Sequence, residues 1–434
     1  MTISVSNPPS SHDLSTPDGI HAYLRESSPF NPSNVELVTG GMANWTFRAT
    51  LGTPAIQDEA LSRALGDRRL ESIIIKHSKD RAAAFHGWTL DLERVNIELA
   101  APKLVATLPL PHSRTLLNQS PNTSKPDEPS ISVTEQIWYD AGNHIQCMID
   151  FGRLHTLKSF FIANPGPSNV SLAQQAGKAL GEFLAGLHLW SWPILHSTRD
   201  KETVLEMYQK NVWAKEACAL RTIGSLKASA EQAGVPGKWD EIVQALTKEV
   251  TEIDEVFNIG DLWTGNVLIE TNENHSLKAL YIVDWEVAKT GTASTDIAQF
   301  AAEAYQLWKF SSSDTNSTTA GSPAGEALAR SFLSGYQDHV TSSLAAHGSS
   351  LSDSTSSTTR GRTVKQALLD GESVIGHLCA HVATIGRDVS WAKDTSTTKS
   401  VVKKALNTCA SFKSLDEDAL ERKPGLDKVW DDLQ

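Results

Sequence analysis

The chain has 434 residues, 40% hydrophobic and 21% charged, which suits a folded globular protein with a sizeable core. No apolar run approaches the roughly 18–20 residues that cross a bilayer, so no membrane partner is expected, and the formal net charge of −12 repels the phosphate backbone of nucleic acid. Four scattered cysteines, Cys147, Cys218, Cys379 and Cys409, form no CxxC pair, so a reducing, cytoplasmic setting is expected and not a disulfide framework.

Residues 1–15 are polar, with neither a basic n-region nor an apolar h-region, and read as a disordered tail and not a secretion signal. Thr16-Pro17-Asp18 places a cap and a first-turn proline ahead of a short helix through Tyr23-Leu24. Val35 to Leu51 alternates around Gly40-Gly41, which predicts strand, turn and strand. Residues 52–71 read as an insertion, and Ile73-Ile74-Ile75-Lys76 as a short buried strand ending in a lysine. The apolar spacing of Leu90, Leu92, Val95, Leu99 and Leu104 predicts a helix within 81–108. A Pro/Ser/Asn-rich loop over 111–130 precedes a hairpin, Val133–Tyr139 and Ile145–Ile149.

From residue 151 the pattern turns mostly helical: 171–191, 240–256, 294–309, 323–346, 363–386 and 398–412. Two strand-like segments, Asn266–Glu270 and Leu277–Asp284, interrupt it around the polar turn Thr271–Ser276. The Ser/Thr-rich stretches 311–319 and 348–359 read as mobile loops. The expected architecture is α+β and bilobal, with a small antiparallel-sheet lobe over 16–150 and a larger, mostly helical lobe over 151–434.

The chemistry concentrates in Asn258-Ile259-Gly260-Asp261-Leu262-Trp263-Thr264-Gly265-Asn266, followed after one hairpin by Asp284-Trp285-Glu286. Phosphoryl transfer requires a carboxylate to align the attacking hydroxyl and ligands to hold the metal on the phosphates. Asp261 suits the first role. Asn266 and Asp284 offer the hard oxygen ligands that magnesium prefers. In a kinase a strand lysine such as Lys76 bridges the α- and β-phosphates of ATP, held by a glutamate on the next helix, for which Glu98 is preferred over Glu93. Taken singly, each fragment has a bland reading: a Gly-Asp turn, a solvated strand-end lysine, an Arg94–Glu98 pair across one helical turn. The ordered set is what favours catalysis.

In this combination the chain resembles the aminoglycoside phosphotransferase and choline kinase group, and within it the branch that includes methylthioribose kinase. Gly260-Asp261-Leu262 and Asn266 match that group's loop, roughly His-Gly-Asp-Leu-x-x-x-Asn, and Asp284 matches its second aspartate, with Lys76, Glu98 and Asp296 also fitting. The resemblance covers about 20–390 and implies a protein-kinase-like fold, ATP, Mg2+ and a small-molecule hydroxyl acceptor. Ile259 departs from the group's histidine and keeps its packing but not its hydrogen bond. That departure, with no GxGxxG present, motivates an alternative: a non-catalytic nucleotide-binding regulator of kinase-like fold.

Gly40-Gly41 forms the only candidate phosphate-covering turn. Asp150-Phe151-Gly152 spells a magnesium motif but comes too early, before the catalytic loop. It reads as the inter-lobe hinge, with Asp150 contributing to nucleotide binding where backbone groups would meet adenine. His377-x-Cys379-x-His381 has two histidines at zinc spacing but no third ligand, and His188 reads as a packed core histidine.

Overall fold

The computed structural model describes residues 2–65, 70–84, 87–114, 129–195, 204–311, 321–346, 362–388, 395–412, 425–426 and 429–430. Most of the 111–130 loop and nearly all of the two Ser/Thr-rich stretches lie outside them. The chain is mixed α+β and divides into two compact units. One gathers Met1–Ala106 and Val133–Leu154; the other gathers Thr107–Arg114, Thr123–Ser132 and His155–Gln434.

The first unit is built on β1 (Ile3–Val5), α1 (Pro17–Ser27), β2 (Phe30–Leu37), β3 (Trp45–Ile56), α2 (Glu59–Leu65), β4 (Ser72–His77) and α3 (Arg94–Ala106). After β5 (Ser130–Val133), which joins the sheet of the second unit, β6 (Gln136–Asp140) and β7 (Ile145–Ile149) complete it. Strand order is β1-β6-β7-β4-β3-β2, antiparallel except for the β1–β6 pair. The Thr16 hydroxyl caps α1 by accepting from the Gly19 amide, with Pro17 in the first turn. Ile20, Tyr23 and Leu24 of α1 pack with Phe47, Ile73, Ile75, Ile145 and Cys147 into one buried core.

The N-terminal segment, read as a disordered tail, is part of this fold. Ile3–Val5 pairs in parallel with Trp138–Asp140. The Asp140 carboxylate accepts from the Asn7 amide at 2.9 Å, and Asn143 exchanges hydrogen bonds with the Ser10 amide and the Pro8 carbonyl. Side chains 133 and 135 residues downstream satisfy this backbone, so local composition carries no trace of it. The 81–108 helix is shorter than expected, because Ala82 and Leu90 donate to the carbonyls of Trp88 and Asp80 and turn residues 80–90 back on themselves. The insertion over 52–71 extends β3 and adds α2.

His77, at the inner end of β4, is 6% exposed, and its Nδ1–H donates to the Leu14 carbonyl at 2.9 Å. Burial, and then the Lys79 charge, pull its pKa down to about 4. Between that value and the unfolded pKa near 6.5 the unfolded chain binds the extra proton, so stability is lost as pH falls through this window, by on the order of 3 kcal/mol. The urea midpoint should therefore drop between about pH 6.5 and 4, and His77→Asn should flatten that slope.

In the second unit a sheet ordered β5-β11-β10-β8 uses β8 (His155–Thr156), β10 (Val267–Thr271) and β11 (Leu277–Ile282). Strands β9 (Val256–Asn258) and β12 (Lys289–Gly291) form a separate antiparallel pair. Around them lie α4 (Leu157–Ala163), α5 (Val170–Leu195), α6 (Glu206–Gln209), α7 (Val212–Ile223), α8 (Leu226–Ala233), α9 (Trp239–Thr251), α10 (Ala293–Phe310) and α11 (Pro323–Ala346). Helices Val364–Leu368, Gly371–Asp388 and Thr395–Cys409 follow. The long α5 and α11 pack closely because Gly181 has no side chain: a Cβ there would lie 2.2 Å from the Phe332 carbonyl oxygen. Among the described residues no helix is long and apolar enough to cross a membrane, and the four cysteines are buried thiols.

Candidate active site

In the first unit, β4 alternates sides as a half-buried strand should. Ile73 and Ile75 enter the core, and Lys76 lies on the opposite face, across the ladder from Gln146 of β7. Glu98 of α3, 1% exposed, accepts there from Lys76 Nζ and from Gln146 Nε2. A carboxylate buried this far needs such partners. The lysine's partner is thus Glu98, while Glu93 accepts from Asn96 Nδ2 at 2.8 Å.

The Gly40-Gly41 turn joins β2 to β3 and is exposed, with Gly40 at φ 111°. It is pinned at its far end. Asn44 Oδ1 accepts from Ser78 Oγ at 2.8 Å and from the buried Arg94 at 2.9 Å, and the Met42 and Ala43 carbonyls accept from the Ala84 and Ala83 amides. Asp150 ends β7 with its carboxylate enclosed. Arg48 grips both oxygens at 2.6 and 3.0 Å, and Ser72 Oγ donates at 2.6 Å. Burial alone would raise its pKa, but these partners hold it below the usual carboxylate range. The Asp150 side chain is an internal tie of this unit.

In the second unit, β9 delivers the chain into the loop Ile259–Asn266, and the loop returns into β10. Gly260 has φ 81°, and a Cβ there would meet the Val287 carbonyl oxygen at 2.2 Å, so the bend requires glycine. Ile259 is fully buried. Its amide donates to Asp296 Oδ2 at 2.7 Å, and the Gly260 amide donates to Oδ1 at 2.9 Å. Asp296 lies in the first turn of α10 and is 1% exposed. Burial pushes its pKa up, but the neighbouring His188, the Lys289 ammonium and the Gly260 amide reverse this and hold it ionised. A buried carboxylate thus fixes the loop through its main chain, and the histidine that Ile259 replaces is not needed to anchor it.

Asp261 follows directly. Its Oδ1 forms an ion pair with Arg221 Nη1 at 2.7 Å and accepts from Gln299 Nε2 at 2.7 Å, and its Oδ2 accepts from Asn266 Nδ2 at 3.1 Å. Asn266 Nδ2 also donates to the Asp261 carbonyl at 3.1 Å. Both partners are acceptors, so the amide nitrogen must face them, and the Asn266 Oδ1 is turned the other way. Val267 pairs with Ile282, and the Val283 amide donates to the Asn266 carbonyl at 3.0 Å. Asn266 and Asp284 therefore leave the hairpin at the same end. Asp284 takes a left-handed backbone, φ 68°, which aspartate tolerates better than most residues other than glycine.

The two histidines at zinc spacing are accounted for without a metal. His377 pairs with Glu249 at 3.1 Å and His381 with Glu303 at 3.0 Å, all four buried. His188 is likewise fully buried, its Nδ1 2.7 Å from the Tyr336 hydroxyl. Two neighbours of Asp261 had no motif to reveal them. Arg221 lies on α7, a helix that the apolar pattern did not single out. Gln299 lies one turn beyond Asp296, a helical spacing that could have pointed to it.

A model of the ecdysteroid kinase-like family matches residues 196–306, the stretch that holds Arg221, the loop, Asp284 and Gln299. The chain is 27% identical over 302 residues to a 4-hydroxytryptamine kinase of Psilocybe cyanescens, covering 69% of this chain and 75% of that one. It is 27% identical over 311 residues to the 4-hydroxytryptamine kinase of Psilocybe cubensis, covering 70% and 77%. Among solved structures, a choline kinase of Cryptosporidium parvum Iowa II aligns with 93% of this chain and 97% of its own, at 13% identity and a TM-score of 0.44. By its similarity to these kinases the protein is a small-molecule kinase. The resemblance to aminoglycoside phosphotransferases and choline kinases read from its motifs is borne out as a resemblance.

Proposed function

We propose that the protein transfers the γ-phosphoryl group of ATP to a hydroxyl of a small molecule. The observation that carries the reading is the Asp296-anchored loop, which presents Asp261 and Asn266 together, with Asp284 leaving the adjoining hairpin at the same end. The turned-away Asn266 Oδ1 and the Asp284 carboxylate form an all-oxygen donor set, which fits Mg2+. Magnesium bound there would neutralise phosphate charge. Lys76, held by Glu98, grips the nucleotide phosphates, and Gly40 and Gly41 offer backbone amides from an exposed turn. With its carboxylate enclosed, Asp150 contributes to adenine binding through its main chain. Asp261 orients the acceptor hydroxyl and takes its proton as the O–P bond forms.

The regulator reading drew on Ile259 and on the missing GxGxxG; a loop held through its backbone by Asp296 weakens the first of these grounds and leaves the second. The relatives' names give a first probe acceptor, the phenol 4-hydroxytryptamine, within a panel of hydroxylated amines, sugars and specialised metabolites. The expected result is Mg2+-dependent ADP formation with one phosphorylated product per ADP for at least one panel member. Tight Mg-ATP binding with no transfer and no ATP hydrolysis across the panel would support the regulator instead.

A further inference from the structure

Among the described residues, Arg221 is an arginine from outside the loop that reaches the Asp261 carboxylate. Asp261 is 16% exposed at its side chain and Arg221 25%. An ionised carboxylate has about four lone-pair sites, two on each oxygen. Arg221 Nη1 and Gln299 Nε2 both stand 2.7 Å from Oδ1 and crowd its two sites, and Asn266 Nδ2 takes one on Oδ2. The remaining site is on Oδ2. The helix that carries Arg221 is itself tied to the loop. Cys218, one turn earlier, donates Sγ–H to the Gly260 carbonyl at 3.4 Å, and the α7 cap Asn211 donates to the Ala288 carbonyl at 2.9 Å. Arg221 and Gln299 also line one 30 Å³ cavity, together with Asp296, His377 and His381.

We propose that Arg221, with Gln299, is a positioning residue: the pair saturates Oδ1 of Asp261 and fixes the carboxylate plane, so that Oδ2 alone meets the acceptor hydroxyl. The inference rests on the reading of Asp261 as the group that receives the acceptor proton. A freely rotating carboxylate would offer either oxygen at varying angles, and in-line transfer punishes misplacement. Arg221 acts through Asp261 and not on the nucleotide, so its loss lowers turnover and leaves nucleotide affinity alone. The competing possibility is that the ion pair sequesters Asp261 and restrains an enzyme that runs faster without it.

The test compares wild type, Arg221→Gln, Arg221→Lys, Asp261→Asn and the Asp261→Asn/Arg221→Gln double variant. ADP release is followed with Mg-ATP and 4-hydroxytryptamine, or with water as acceptor where that phenol is not used. Arg221→Gln should lower kcat by about tenfold to a hundredfold with the KM for ATP within about twofold. Arg221→Lys should recover part of the loss, since its ammonium keeps one charged donor, and millimolar guanidinium should partly rescue Arg221→Gln. In the Asp261→Asn background Arg221→Gln should add little, because both act on one step. A crystal structure of Arg221→Gln should show the Asp261 carboxylate rotated, a readout independent of turnover. Wild-type or faster kcat in Arg221→Gln, fully additive losses in the double variant, or an unmoved carboxylate would overturn the proposal. Full activity in Asp261→Asn would instead strike the reading beneath it.

Discussion

Asp261→Asn should lower kcat by about a hundredfold to ten-thousandfold, the usual span for a positioned proton acceptor, while Mg-ATP binding stays near wild type. The substitution is nearly isosteric, so the loop keeps its shape. What changes is that an amide cannot take the acceptor proton, and its NH2 must face either the Arg221 and Gln299 donors or Asn266. The first arrangement sets donors against donors at Oδ1, where both partners now stand at 2.7 Å. The second sets the new NH2 against that of Asn266, which the Asp261 carbonyl holds in place at 3.1 Å. Either way turnover suffers more than fold. Steady-state kinetics beside calorimetric titration with Mg-ATP separates the two, and a variant with wild-type kcat would remove Asp261 from the chemistry.

Much of this was legible in the chain itself because it is local. A Gly-Asp-Leu loop between two short strands, and an aspartate one hairpin later, keep their spacing whatever the rest of the fold does. The alternation that buries Ile73 and Ile75 also sets Lys76 on the far face. The long amphipathic helices announced themselves in the same way, and α5, α10 and α11 fall close to where their apolar stripes put them. What escaped was set by distant partners. The first residues read as a tail because polar composition was all they showed, whereas their order comes from Asp140 and Asn143. The enclosed carboxylate of Asp150 depends on Arg48, 102 residues away. Arg221 meets Asp261 across 40 residues of chain, and only folded α7 brings it there. The role of Asp296 shows the same divide: its place in the pattern was visible, but its grip on the Ile259 and Gly260 amides was not.

That grip should make Asp296→Asn the most damaging single substitution in the second unit. The carboxylate accepts two main-chain amides, one on each oxygen, at 2.7 and 2.9 Å, with 1% of its surface exposed. Hydrogen bonds to a charged acceptor contribute about 1.5–3 kcal/mol each. An asparagine can replace one of them; its NH2 then faces the other amide, donor against donor, in a place that water does not reach. The buried Lys289, whose charge helps keep Asp296 ionised, loses its compensation as well. Removing one partner of a buried charged set costs about 3–5 kcal/mol, and the urea midpoint should fall accordingly. The loop should also slacken, so that at a temperature where the variant is still folded kcat drops about a hundredfold, the scale of a misplacement near 1 Å. Loss of stability without loss of kcat in the folded fraction would mean that Asp296 braces the helix and not the loop. Loss of neither would mean that the two amides find other acceptors, and that the histidine absent at position 259 has no substitute in this chain.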